Sequence, residues 1–109
     1  MTIKTSSYRQ SLLAALLDPA EASAYLNAAL EDSPQAFLKA VRNVAQSRQM
    51  VKVAKDAGVQ RETLYRSLSE QGNPTFETLS SVLAALGMKI SISLSDFSAA
   101  DDTRKRKSA

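Results

Sequence analysis

The chain of 109 residues contains no cysteine, no histidine and no tryptophan. Without cysteine there is no disulfide framework, which fits the cytosol. Without cysteine and histidine, thiolate–imidazole metal sites, Ser-His triads and cysteine nucleophiles are all excluded. An enzyme would have to run on carboxylates, lysines or hydroxyls, and a chain of small helices seldom encloses the cleft that such chemistry needs. The composition points to a binding protein that is not an enzyme and uses no cofactor and no metal. No apolar run approaches the roughly 18 residues of a membrane span. Residues 1–9 lack the apolar stretch and cleavage-site pattern of a signal peptide. A cytoplasmic location with no membrane partner is therefore expected.

With only 3 glycines and 3 prolines, the punctuation is sparse and easily read. Tyr8, Leu12, Leu13, Leu16 and Leu17 share one helical face, so the spacing predicts a helix over about 6–17. Asp18-Pro19 ends it and starts another, with Asp18 as N-cap and Pro19 at the first helical position. Its apolar stripe is Ala22, Tyr25, Leu26, Ala29 and Leu30. Ser33-Pro34 repeats the start signal for a third helix that buries Phe37, Leu38, Val41, Val44 and Ala45. Ser47 to Met50 marks a break. Later, Gln71-Gly72-Asn73-Pro74 is a stop, and Thr75 caps a helix lined by Phe76, Leu79, Val82, Leu83 and Leu86 and ended by Gly87.

Between those two breaks lies the most informative segment, Val51 to Leu68. It reads as a helix, a three-residue turn pivoting on Gly58, and a second helix. Ala54 is small enough for the second helix to cross close by, Gly58 tolerates positive φ, and Val59 anchors the turn. Leu64 and Leu68 give the second helix a buried side, leaving Arg61, Glu62, Tyr65 and Arg66 outward. A helix held in this way can enter a DNA major groove. An Arg fork fits guanine O6 and N7, and Glu accepts from the cytosine amino group. Gln60 and Thr63 suit phosphate or adenine contacts, and Tyr65 is shared between DNA and packing against the next helix. Lys52 and Lys55 lie on the first helix of the motif, where a DNA backbone would cross. Asn73 and Thr75 begin the following helix, whose backbone N–H groups suit a phosphate. The plain alternative is a solvated helix with an i, i+4 pair between Glu62 and Arg66.

Charge distribution separates these readings better than the net charge of +3. Residues 34–72 hold Lys39, Arg42, Arg48, Lys52, Lys55, Arg61 and Arg66 against Asp56, Glu62 and Glu70. The N-terminal third is net acidic through Asp18, Glu21, Glu31 and Asp32. The positive excess thus falls on the helix–turn–helix segment, as phosphate neutralisation requires.

After Gly87 the period changes. Ile90, Ile92 and Leu94 alternate with Ser91, Ser93 and Ser95, the pattern of a half-buried strand. A lone strand among helices has no partner for its backbone groups. Pairing with its copy across a two-fold axis is the simplest solution; a partner protein, or a tail whose isoleucines merely pack on the core, are the others. From Phe97 onward the residues are small, polar or charged and are expected to be disordered. The closing Arg104–Lys107 run is read as a solvated basic end.

Three blocks carry a family resemblance. They are Tyr25–Leu30, Val53–Pro74 with its Arg-Glu-Thr-Leu-Tyr-Arg-x-Leu-Ser-x-x-Gly-Asn-Pro string, and Thr78–Met88. Together they resemble the addiction-module antidote proteins of the HigA-like group, a branch of the Xre/Cro-type helix-turn-helix proteins, over about residues 8–94. The resemblance implies a toxin encoded next door, typically a small RelE-like ribonuclease that the protein would silence, and repression of the shared operon. DNA-contacting roles carry over to Gln60, Arg61, Glu62, Thr63, Tyr65 and Arg66; a toxin-binding surface does not. One departure is Val51, where the family has Ser or Thr. Valine cannot cap a helix, so residues 42–55 are expected to bend rather than stop.

The sequence thus predicts an all-α, five- to six-helix lambda-repressor-like helix-turn-helix domain with a short C-terminal dimerising β-strand. Residues 1–33 form a helical extension, 34–88 the DNA-binding domain, 89–97 the dimerising strand (Ile90, Ile92, Leu94) and 98–109 the tail. The expected partners are operator DNA, a second copy of the chain and a RelE-like toxin. A stand-alone prophage-type regulator without a toxin and an interaction module that no longer binds DNA are the alternatives.

Overall fold

The computed structural model describes residues 2–94. Six helices follow one another: α1 (Thr2–Ala15), α2 (Pro19–Asp32), α3 (Pro34–Ser47), α4 (Met50–Ala57), α5 (Arg61–Ser67) and α6 (Phe76–Ala85). The local start signals act as the sequence requires. Asp18 accepts a hydrogen bond from the Ala20 N–H at 2.9 Å, Ser33 Oγ from Ala36 at 3.0 Å and Thr75 Oγ1 from Thr78 at 3.1 Å. Each therefore satisfies a backbone donor that the first turn leaves without a partner. At the other end of α6, Gly87 takes φ +81°, the Gly87 N–H reaches the Ala84 carbonyl and the Met88 N–H reaches the Leu83 carbonyl. This left-handed cap turns the chain back so that Met88 packs against the core.

α3 is the central helix. It buries Ala40, Val41, Asn43, Val44 and Ala45, with α1 and α2 packed on it and α4 leading from it to α5 and α6. One apolar core runs from Leu16, Ala22 and Leu26 through Val41, Val44, Val53 and Leu64 to Val82 and Leu86. The N-terminal helices are thus built into the same core as the helix–turn–helix segment. Asn43, only 5% exposed, donates to the Tyr25 hydroxyl at 2.8 Å and accepts from Arg9 at 3.4 Å, while Arg9 also reaches Gln46. A buried amide is tolerated because it has partners on α1 and α2.

Arg42 of α3 and Arg48, the residue that ends it, close the ends of other helices. Arg42 Nη1 donates to the Leu68 carbonyl just after α5, at 2.9 Å. Arg48 Nη2 donates to the Leu16 carbonyl after α1 at 3.0 Å, and its Nη1 to the Leu86 carbonyl after α6 at 3.3 Å. Terminal carbonyls are the acceptors a helix cannot satisfy itself, and a guanidinium suits their negative dipole end.

Several expectations are corrected. α1 runs from Thr2 and ends at Ala15, whereas the spacing placed it over 6–17. The α3–α4 junction stops rather than bends: Arg48 and Gln49 separate the two helices, and Gln49 sits at φ +73°, ψ +110° with no side-chain cap. A non-glycine residue at that angle is strained by about 1–3 kcal/mol, and the packed helices on both sides impose it. Tyr8, Leu17, Leu30 and Phe76, read as core-facing, are 72%, 56%, 55% and 72% exposed. Each shares a face with core residues but is left largely uncovered by the neighbouring helices.

No strand forms among the described residues. Residues 89–94 have no regular structure and enter no backbone hydrogen bond there, and Ile92 and Leu94 are 95% and 92% exposed. The physical reason is the one that the sequence raised, since a single chain offers this segment no ladder partner. Residues 95–109, including Phe97 and Arg104–Lys107, lie outside the described residues.

Arg48→Met should lower the unfolding free energy by about 2–3 kcal/mol, because it strands two carbonyls that now accept from a charged donor. Urea unfolding followed by circular dichroism measures this, and a loss under about 0.5 kcal/mol would show the contacts to be incidental.

Candidate nucleic-acid interface

α4 and α5 are joined by Gly58, Val59 and Gln60. Gly58 lies in the left-handed region at φ +75°, ψ +28°. The Val59 N–H then reaches back to the Ala54 carbonyl at 3.0 Å, and that of Gly58 to Lys55 at 3.2 Å. Ala54 is 3% exposed, so α5 crosses where only a methyl group stands. Val59 packs on the core beside it. Leu64 and Leu68, 0% and 1% exposed, pin α5 from below, and Arg42 holds its carbonyl end. The three features that the sequence required of the turn are all present in their expected places.

The opposite side of α5 is open. Gln60, Arg61, Glu62, Tyr65 and Arg66 are exposed, Tyr65 by 46%, and Thr63 is half-buried. Among the described residues Lys52–Asp56 is the only ion pair, so the Glu62–Arg66 pair does not form. The side chains of Arg61, Glu62 and Arg66 make no hydrogen bond there either, which leaves the forked donors free. Lys52 and Lys55 are exposed on α4. The Lys52–Asp56 contact, 3.2 Å between side chains 69% and 45% exposed, belongs to the class of surface pair worth only a few tenths of a kcal/mol. It yields readily to a phosphate.

The loop after α5 needs glycine for a different reason. A Cβ on Gly72 would lie 2.1 Å from the Ser67 carbonyl oxygen and 2.5 Å from that of Arg66. The chain passes flush against the end of α5, with the Gly72 N–H on the Ser69 carbonyl at 2.8 Å. This passage brings Asn73 out exposed at the start of α6. Thr75 is exposed as well, but its hydroxyl oxygen is engaged as the α6 cap, so any ligand contact from it would compete with that role.

Two members of the basic segment leave the surface count. Arg42 and Arg48 are half-buried and bound to helix ends, so they position α5, α1 and α6 rather than face outward. Nothing in their sequence spacing distinguishes them from exposed arginines. What remains outward is Lys39, Lys52, Lys55, Arg61 and Arg66.

Among the described residues no helix is long and apolar enough to cross a membrane. Among the described residues the architecture is all-helical, with an exposed polar row on α5. Over residues 8–94 the chain matches the family model described as probable addiction module antidote protein. The protein belongs to that family. A protein of Haemophilus influenzae named only as an uncharacterized protein is 42% identical over 78 residues, which cover 71% of this chain and 80% of that one. No solved structure matches the chain. An antidote family implies an antitoxin role and a toxin as partner.

Gly72→Ala should destabilise the fold by about 1–3 kcal/mol through overpacking against the α5 carbonyls. Thermal unfolding of the variant checks this; an unchanged midpoint would mean that the loop does not hold this close approach.

Proposed function

We propose that this antitoxin binds operator DNA through α5, represses its own operon in the cytoplasm as a homodimer, and neutralises a RelE-like toxin encoded by the neighbouring gene. The observation that carries the DNA reading is the row Gln60, Arg61, Glu62, Tyr65 and Arg66, exposed on a helix anchored from the other side by the buried Leu64 and Leu68. A charged, unpaired row on a rigidly seated helix suits a major groove, with Lys52 and Lys55 on α4 and Asn73 at the α6 start placed to meet phosphates. The family match favours an antitoxin over a regulator without a toxin.

The homodimer reading rests on the unpaired segment with Ile90, Ile92 and Leu94. Two copies joined there would present two α5 helices, to read half-sites about 34 Å apart.

For the toxin, the acidic surface of α2 is the proposed dock. Asp18 is occupied as the α2 cap, which leaves Glu21, Glu31 and Asp32, all exposed. Glu31 and Asp32 stand in the last turn of α2, where negative charge opposes the helix dipole. A basic partner would relieve that conflict, and an RNA-cleaving toxin must be basic to hold its substrate.

Arg61→Ala and Arg66→Ala should each weaken binding to promoter DNA by about 1–3 kcal/mol if they read bases as forks, with the fold unchanged. Fluorescence anisotropy at fixed salt measures the loss. A double variant that binds as wild type does would remove α5 from the interface.

Charge reversal at Glu21, Glu31 and Asp32 should weaken the complex with the co-expressed neighbouring gene product at least tenfold and leave DNA affinity unchanged. Isothermal titration reads both, and an unaltered complex would move the toxin to another surface.

A further inference from the structure

Beside the exposed tail lies a groove of about 300 Å³ between α2, the start of α3 and the end of α6. Leu26, Leu30, Phe37, Leu83, Met88 and Ile90 supply its apolar wall. Leu30 is 55% exposed and Ile90 47%, so the groove is unfilled apolar surface. No residue of α4 or α5 contributes to it.

We infer that this groove is the seat for the tail of a second copy of the chain, with Leu94 of the second copy inserting between Leu30 and Phe37. The inference rests on the dimer reading above and gives it a location. Three observations carry it.

The first is continuity. Ile90 is both a wall of the groove and the start of the row Ile90, Ile92, Leu94. In a strand these three side chains share one face, with serines on the other. When the segment pairs, its apolar face is therefore the face turned to the groove.

The second is register. A two-fold antiparallel pair keeps apolar side chains together when it centres on Ile92 or on Ser91, whereas a slip by one residue in one strand sets serine against isoleucine. Centring on Ile92 sets Leu94 of the second copy opposite Ile90; centring on Ser91 sets it opposite Met88. Directly opposed Cβ atoms lie about 5 Å apart. Ile90 and Met88 both line the groove, so either register brings that leucine over its mouth.

The third is area. A two-stranded ribbon on its own is marginal in water, and stable interfaces bury about 1,200 Å² or more. Three apolar side chains from each copy fall short of this. Seating each tail in the other copy's groove adds the Leu30, Phe37 and Met88 surfaces and covers the apolar face of the ribbon. The α4–α5 surface of each copy stays open.

The natural absence of cysteine makes a direct test possible. Full-length chains carrying Leu30→Cys are mixed with longer, tagged chains carrying Leu94→Cys, and oxidised. A disulfide between the two sizes can form only across copies and only if the residues approach within the narrow range a disulfide allows. The expected result is a mixed-size dimer on a non-reducing gel, absent when Leu94→Cys is replaced by Thr2→Cys. In parallel, Leu30→Asp should weaken dimerisation about 30- to 100-fold by sedimentation, as loss of a central apolar contact does. If wild type is dimeric, Leu94→Asp is monomeric and no mixed disulfide forms, the groove is not the seat although the strand dimer stands. If wild type sediments as a monomer at micromolar concentration, the dimer reading and this seat fall together.

Discussion

Arg48 holds two helix ends with one guanidinium, and the arrangement of the whole chain follows from where it stands. It lies just past the end of α3, reaches the last carbonyls after α1 and α6, and is immediately followed by the strained Gln49 that launches α4. One turn and a half earlier on the same helix, Arg42 performs the same service for α5. Three helices, α1, α5 and α6, are thus positioned by charged donors from α3 and the residue that ends it. Hydrophobic burial alone would allow short helices to slide along one another. A fork aimed at particular carbonyls fixes where each helix ends, and so fixes the orientation of what it displays.

That division of labour changes the meaning of the basic middle segment. Its charge excess looks uniform in the sequence, yet Arg42 and Arg48 face inward to helix ends while the arginines of α5 face outward with no partner among the described residues. The outward positive charge of this segment therefore rests on five side chains spread over α3, α4 and α5 rather than seven. The separation also keeps functions apart in space. The α5 row stands apart from the acids of α2 and from the groove beside Ile90, which share α2 and contain no residue of α5.

What the sequence made legible was local. Asp18-Pro19, Ser33-Pro34 and Thr75 are caps whose chemistry is complete within a few residues, and the structure uses all of them. Ala54, Gly58 and Val59 were equally readable, because a tight turn constrains its own residues. Periodicity, by contrast, shows which residues share a face without showing how far a neighbouring helix covers it. Hence Tyr8, Leu17, Leu30 and Phe76 read as core but stand largely exposed. The positive φ of Gln49 left no trace either, since it is forced by the packing of α3 and α4 and not by the residue itself. The alternating segment at 89–94 is an intermediate case: its pattern is plain, but a strand exists only together with its partner.

The brevity of α5 has a consequence for cooperativity. At 7 residues it is far shorter than the roughly 12–15 at which helices become even marginally stable in water. Its shape derives from Leu64 and Leu68 in the core and from Arg42 at its carbonyl end. The outward row has no rigid form apart from the folded whole, so a peptide copied from it would present a disordered ensemble. The hydrogen-bonded amides from Leu64 onward should exchange only as fast as the entire core opens, which makes the outward surface of α5 among the last parts of this molecule to come undone.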